Sequence, residues 1–200
     1  MKKFILCLLV ILFGFAFISC TETSNSGDNG DSEKEEPNDG EKNETTTDSK
    51  TLVVYFSKTN TTKTYALELK ELLKTDIFEI RRKEDYPESY QETIEIAKTE
   101  KNDNARPELK EYMSKDNMSK YETIYLGFPI WYATVPMPVL TFLEYYDLQD
   151  KTIYTFCTSG GSGISGSTSD IKKSSSGANV IEGVRLRSIE ELNKWISSLK

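Results

Sequence analysis

Residues 51–64 read TLVVYFSKTNTTKT. An unbroken apolar, β-branched run from Leu52 to Phe56 stops at SKTNTTK, and a helical pattern follows at once. A strand buried on both faces has this pattern when it feeds a tight loop that opens a helix. The loop is dense in hydroxyls: Ser57, Thr59, Thr61, Thr62 and Thr64. An ordinary N-cap needs one or two of them. A helix N-terminus offers unpaired N–H groups and the positive end of a dipole, and hydroxyls add donors that wrap an anion without a cation. The loop therefore reads as a phosphate site.

Downstream the chain alternates. A helix over about 63–73 has Tyr65, Ala66, Leu69, Leu72 and Leu73 as its apolar face. A second strand spans about Asp76 to Arg81, and residues 88–101 are helical in pattern. Residues 102–120 are polar and loop-like, with Pro107 against any helix. Strands are expected at 123–128, 152–157 and around 179–186, and helices at 136–146, near 167–173 and at about 188–199. The last helix opens on Ser188 with Glu191 three residues on, a capping box. Alternation of this kind predicts an α/β fold, a doubly wound five-stranded parallel sheet with helices on both faces. With this loop chemistry the expected strand order is 2-1-3-4-5. The crevice then lies between strands one and three, at their carboxyl ends.

Two further loops follow strand ends at that crevice. Gly127 to Pro138, GFPIWYATVPMP, fixes its backbone with three prolines and carries Pro129, Ile130, Trp131 and Tyr132. A loop tryptophan is either a lid on the core or a stacking platform; beside a phosphate loop, stacking is the expectation. Cys157 to Asp170, CTSGGSGISGSTSD, presents Thr158, Ser159, Gly160, Gly161, Ser162 and Gly163. Its glycines let backbone N–H groups approach a planar ligand closely.

Ser57, Lys58, Thr59, Asn60, Thr61 and Thr62 stand in the order of the flavodoxin family's phosphate loop, Ser/Thr-x-Thr-Gly-x-Thr, with Asn60 where that family usually has Gly. Asn tolerates left-handed backbone better than most residues. The Gly-x-Pro-x-Trp-Tyr stretch and the Thr-x-Gly-Gly-Ser-Gly stretch resemble the same family, so the likeness spans nearly all of residues 51–200. The resemblance implies a flavodoxin-like fold and FMN as cofactor. The first loop would take the phosphate, Trp131 and Tyr132 the isoalloxazine ring, and the glycine loop its pyrimidine edge.

Other chemistries lose ground on the same residues. Gly161 to Gly166, GSGISG, matches a dinucleotide fingerprint, but only one strand follows it. There is no Gly-x-Ser-x-Gly elbow and no histidine anywhere, which removes a Ser-His-acid triad. A phosphatase loop on Cys157 would need Arg where Gly163 stands. Without histidine or clustered cysteine, a transition-metal site is not expected. Cys157 reads as a small core residue. Lys58 is the one cation near the three loops, which would disfavour a negatively charged reduced ring.

The first 20 residues form a basic start, an apolar run from Phe4 to Phe17 and the ending FISC, a lipoprotein-type signal peptide with Cys20 as the lipidation site. Residues 21–50 hold no large apolar side chain and read as a disordered acidic tether. Its reach is roughly 30 Å as a coil. It carries ten acids and three bases, whereas residues 51–200 hold 22 acids and 20 bases. The acidity therefore belongs to the tether, and the domain has little net field with which to steer a basic partner. No basic stripe with interleaved aromatics appears, so nucleic acid is not an expected partner.

Together these features point to an FMN-binding electron-transfer domain, lipid-anchored in a bacterial cell envelope and facing outside the cytoplasm. Its expected partner is a redox protein or a quinone. The alternatives are an FMN-dependent NAD(P)H/quinone oxidoreductase, and a binding module that keeps the fold but has lost the cofactor.

Overall fold

The computed structural model describes residues 49–199. The signal peptide, Cys20 and nearly all of the tether lie outside them. No helix of the described residues is long and apolar enough to cross a membrane.

The elements run β1 (Thr51–Phe56), α1 (Thr61–Leu73), β2 (Asp76–Ile80), α2 (Tyr90–Asn102), α3 (Lys115–Ser119), β3 (Thr123–Pro129), α4 (Met137–Tyr145), β4 (Thr152–Thr158), α5 (Ser165–Ser174), β5 (Asn179–Arg185) and α6 (Ile189–Ser198). The five strands form one sheet of order β2-β1-β3-β4-β5, and every pairing is parallel. Val54 sits opposite Phe78 on one side and Leu126 on the other, which puts β1 in the sheet interior.

The continuous apolar run of β1 follows from that position. Leu52, Val54 and Phe56 enter one core with Val139, Phe142 and Ile171. Val53 and Tyr55 enter a second with Ala66, Leu69, Leu192 and Trp195. A strand covered on both faces cannot afford a polar alternation.

Three expectations are corrected. Helix α1 begins at Thr61, two residues early, because Asn60 takes the left-handed conformation (φ 62°) and its carbonyl accepts both the backbone N–H and the hydroxyl of Thr64. Leu72 is exposed, since it lies on the flank of the stripe set by Thr62, Ala66 and Leu69. Residues 102–120 are not all loop. Ser114 caps α3 by accepting from the Asn117 N–H, and Met118 is buried. Leu109 also makes an isolated antiparallel bridge to Arg82, which pins this segment to the chain just after β2. Five residues with one buried side chain show no readable helical period.

Candidate functional site

The carboxyl ends of β1, β3 and β4 meet, and the loops after them are tied together by hydrogen bonds. The Ile130 N–H donates to the Thr158 carbonyl at 2.9 Å. The hydroxyls of Thr62 and Thr158 lie 2.8 Å apart and are buried. The Thr134 hydroxyl donates to Asp170 at 2.5 Å. A Cβ on Gly166 would stand 2.6 Å from the Ala133 carbonyl oxygen, so only glycine lets α5 start this close to the β3 loop.

These loops enclose a cavity of about 810 Å³, inside the usual range for small-molecule pockets of roughly 300–1,000 Å³. Ser57, Lys58, Thr59, Thr61 and Thr62 line it from the first loop, Pro129, Ile130, Trp131 and Tyr132 from the second, and Thr158, Ser159 and Gly160 from the third. Four expected residues do not line it. Asn60 shapes the first turn instead. Gly161, Ser162 and Gly163 belong to a turn closed by the Ser159 hydroxyl on the Ser162 carbonyl. A Cβ at Gly160, Gly161 or Gly163 would meet nothing within 4 Å, so the protein's own packing does not require glycine there.

Helix capping divides the elements. Helices α2, α3 and α6 are capped by Ser89, Ser114 and Ser188. The three helices that start at the meeting loops, α1, α4 and α5, have no side-chain cap and no acid in the first turn. For α1 this leaves N–H groups and a dipole end facing the hydroxyls of Thr59 and Thr61, which lie 3.2 Å from each other. That donor set suits a phosphate.

Trp131 is held from behind. Its ring is perpendicular to Phe56 (5.4 Å, 88°) and to Tyr86 (5.1 Å, 87°). The Tyr86 hydroxyl donates to Glu100 at 2.5 Å, and Arg82 donates to the same buried carboxylate at 3.0 Å. Burial, then the Glu100 contact, pushes the Tyr86 phenol well above its ordinary value, so it stays a neutral donor. After Trp131 the chain turns on two residues with positive φ, Tyr132 (48°) and Ala133 (64°), between paired Trp131 and Thr134 backbones. Such a turn normally takes Asn or Gly. The Tyr132 hydroxyl donates to the Ile94 carbonyl at 2.9 Å, tying the turn to α2.

Seven lining residues escaped the sequence reading: Tyr65, Tyr90, Thr93, Ile94, Ala97, Leu186 and Arg187. Tyr90, Thr93, Ile94 and Ala97 are spaced i, i+3, i+4, i+7, so one face of α2 forms a wall, and that spacing was visible in the chain. Arg187 corrects the expectation that Lys58 is the one nearby cation. It follows β5, whose end was not counted among the crevice loops. Glu191 accepts from the Arg187 backbone N–H (2.8 Å), its Nε (3.1 Å) and pairs with its Nη2 (2.9 Å). The box at Ser188 thus reaches back one residue further than expected. Those hydrogen bonds hold the Glu191 carboxyl below its usual range. Lys58 stands 3.7 Å from Glu88. Cys157 is fully buried, and burial pushes its thiol up to about 12, which removes it as a nucleophile.

No curated protein matches the chain. Two solved structures of proteins described as flavoproteins are similar: one from Bacteroides eggerthii DSM 20697 (31% identity, 74% of this chain and 96% of that one, TM-score 0.65) and one from Bacteroides uniformis ATCC 8492 (32%, 74% and 97%, 0.66). A flavoprotein from Lactobacillus acidophilus NCFM, solved in complex with FMN, is 25% identical over 73% of this chain and 97% of its own, with a TM-score of 0.58. A family model described as Flavodoxin matches residues 50–199. With that match across the whole described domain, and with the 2-1-3-4-5 sheet beneath the three loops, the chain belongs to the flavodoxin family.

Proposed function

We propose that this domain binds FMN in the cavity and passes electrons between it and a redox protein or a quinone, tethered to a bacterial envelope through a lipid on Cys20. The carrying observation is that an uncapped helix N-terminus ringed by hydroxyls shares one cavity with Trp131. The α1 N–H groups with Ser57, Thr59 and Thr61 would hold the phosphate, and Thr62 would set the loop against Thr158. Trp131, backed by Tyr86 and Phe56, would offer the ring a preset aromatic surface. Bound FMN supplies the electron chemistry; the protein supplies binding, orientation and potential.

The test is the visible spectrum of the purified full chain in detergent. A yellow protein that releases FMN on denaturation is expected. A colourless folded protein that fails to take up added FMN would overturn the reading and leave a binding module.

The α2 wall favours a second reading, an FMN-dependent NAD(P)H/quinone oxidoreductase. It adds apolar surface that none of the three loops supplies, as a second substrate requires. Rapid bleaching by NADH or NADPH in stopped flow, followed by turnover with a quinone, would select it over a carrier.

A further inference from the structure

We propose that Trp131, Tyr86 and Glu100 form a proton-coupled relay that carries an oxidising equivalent out of the cavity. When a one-electron oxidant takes an electron from the Trp131 indole, Tyr86 replaces it and gives its phenol proton to Glu100. The relay goes beyond the flavin reading: it needs an oxidant beside Trp131, a light-excited flavin being one, but not FMN as such.

Trp131 lines the cavity, whereas Tyr86 lines a second hollow of about 200 Å³ with Phe56, Arg82 and Asp85. The Trp131 and Tyr86 rings are in edge-to-face contact, with centroids 5.1 Å apart, so an electron crosses between them without a bridging group. A phenol that loses an electron becomes a strong acid, and its oxidation is easy only where a base takes the proton. Tyr86 is 5% exposed and Glu100 7%, so the proton goes to the carboxylate rather than to bulk water. A buried hydroxyl that only had to be satisfied could use a backbone carbonyl; a buried carboxylate costs desolvation and supplies a base.

Glu100 divides its oxygens between two partners. Oε2 accepts from the Tyr86 hydroxyl at 2.5 Å and Oε1 from the Arg82 Nε at 3.0 Å. Arg82 also donates to the Glu84 carbonyl and pairs with the Glu84 carboxylate at 3.6 Å. When Oε2 takes the proton, Oε1 still accepts from Arg82 and Glu84 still balances the guanidinium. That guanidinium lies over the Tyr86 ring, 5.4 Å from its centroid, which disfavours a cationic ring. Electron and proton must therefore leave Tyr86 together. The products are a neutral indole, a neutral tyrosyl radical and a protonated carboxyl. Tyr132, the chain neighbour of Trp131, gives its hydroxyl to the Ile94 carbonyl, which is no base.

The experiment is pulse radiolysis of the full chain in a Trp195→Phe background, where Trp131 is the remaining tryptophan of the chain's two. Azide radical oxidises the indole, and the decay of the tryptophanyl absorption is followed against the growth of the tyrosyl absorption. A first-order transfer is expected, independent of protein concentration and slower in heavy water. Tyr86→Phe keeps the ring and should abolish this phase. Glu100→Gln keeps an acceptor for the hydroxyl but no base, and should slow the phase about a hundredfold, the worth of a positioned proton acceptor. Transfer unchanged in Tyr86→Phe or in Glu100→Gln, equally fast in heavy water, or growing with protein concentration would overturn the proposal. The isotope and concentration measurements leave residues 86, 100 and 131 as they are, so they decide the matter even where a variant fails to fold, and a packing role alone predicts no isotope effect. No FMN enters the assay, so failure of the relay and failure of the flavin reading are told apart.

Discussion

Thr62 and Thr158 are 96 residues apart in the chain, yet their hydroxyl oxygens lie 2.8 Å apart at the buried base of the cavity. This bond joins the first turn of α1 to the end of β4, so the phosphate loop and the glycine loop are set by one contact. Thr62→Val would leave Thr158 buried without that partner. A loss of about 1–3 kcal/mol is expected, read as a lower urea midpoint with an unchanged m-value. FMN affinity should fall more than riboflavin affinity, because the phosphate loop is what moves. Equal losses for the two ligands would show that the loop only caps a helix.

The turn at Tyr132 and Ala133 carries backbone strain. Left-handed geometry costs a non-glycine residue roughly 1–2 kcal/mol, and glycine loses part of that gain through its freer unfolded state. Ala133→Gly should therefore raise the thermal midpoint slightly. Gly166→Ala should lower it clearly, because its Cβ would stand 2.6 Å from the Ala133 carbonyl oxygen. Opposite shifts in melting temperature from these two neighbours would confirm the contact.

Glu100 should act on Trp131 through Tyr86. Glu100→Ala removes the acceptor of the Tyr86 hydroxyl and of the Arg82 Nε, leaving Arg82 its Glu84 contacts. A cost of about 1.5–3 kcal/mol is expected, together with a changed emission of Trp131. Trp195 lies in the other core, so the measurement belongs in a Trp195→Phe background. An unaltered Trp131 spectrum would show that Phe56 alone holds the ring.

Cys157 gives a pH dependence. Its ordinary value of 9.0 is raised to about 12 in the folded protein by burial. Above pH 9 the unfolded chain releases the thiol proton and the folded chain keeps it, so this group lowers stability as pH rises from 9 towards 12. Cys157→Ser should flatten that part of the stability profile. In the native protein at pH 8 the thiol should resist alkylation and become reactive only on unfolding.

The envelope placement is tested at Cys20. Cys20→Ala should release the protein from the detergent-requiring membrane fraction or block its processing. Unchanged cleavage and fractionation would indicate an ordinary secreted protein.

Much of this molecule was legible in the chain. The run from Leu52 to Phe56 had to be covered on both faces, since it has no polar alternation. A parallel sheet with crossover helices follows from that and from the strand–helix alternation. The three loops announced themselves through hydroxyls, aromatics and glycines, because cap chemistry, turn chemistry and burial period are local properties of a few consecutive residues. Asn60 could be judged from sequence for the same reason, and its φ of 62° is the conformation that asparagine tolerates. What the chain could not show is which distant side chains share the space. The α2 wall, the Tyr132 bond to Ile94, the Thr62–Thr158 pair and the position of Arg187 all depend on strand order and crossover paths, which bring together groups far apart in sequence. Gly161 and Gly163 show the converse: their composition marked them for a site, yet they are not among the residues that line the cavity. Residue type sets what a side chain can do, and only the tertiary path decides which other groups it meets.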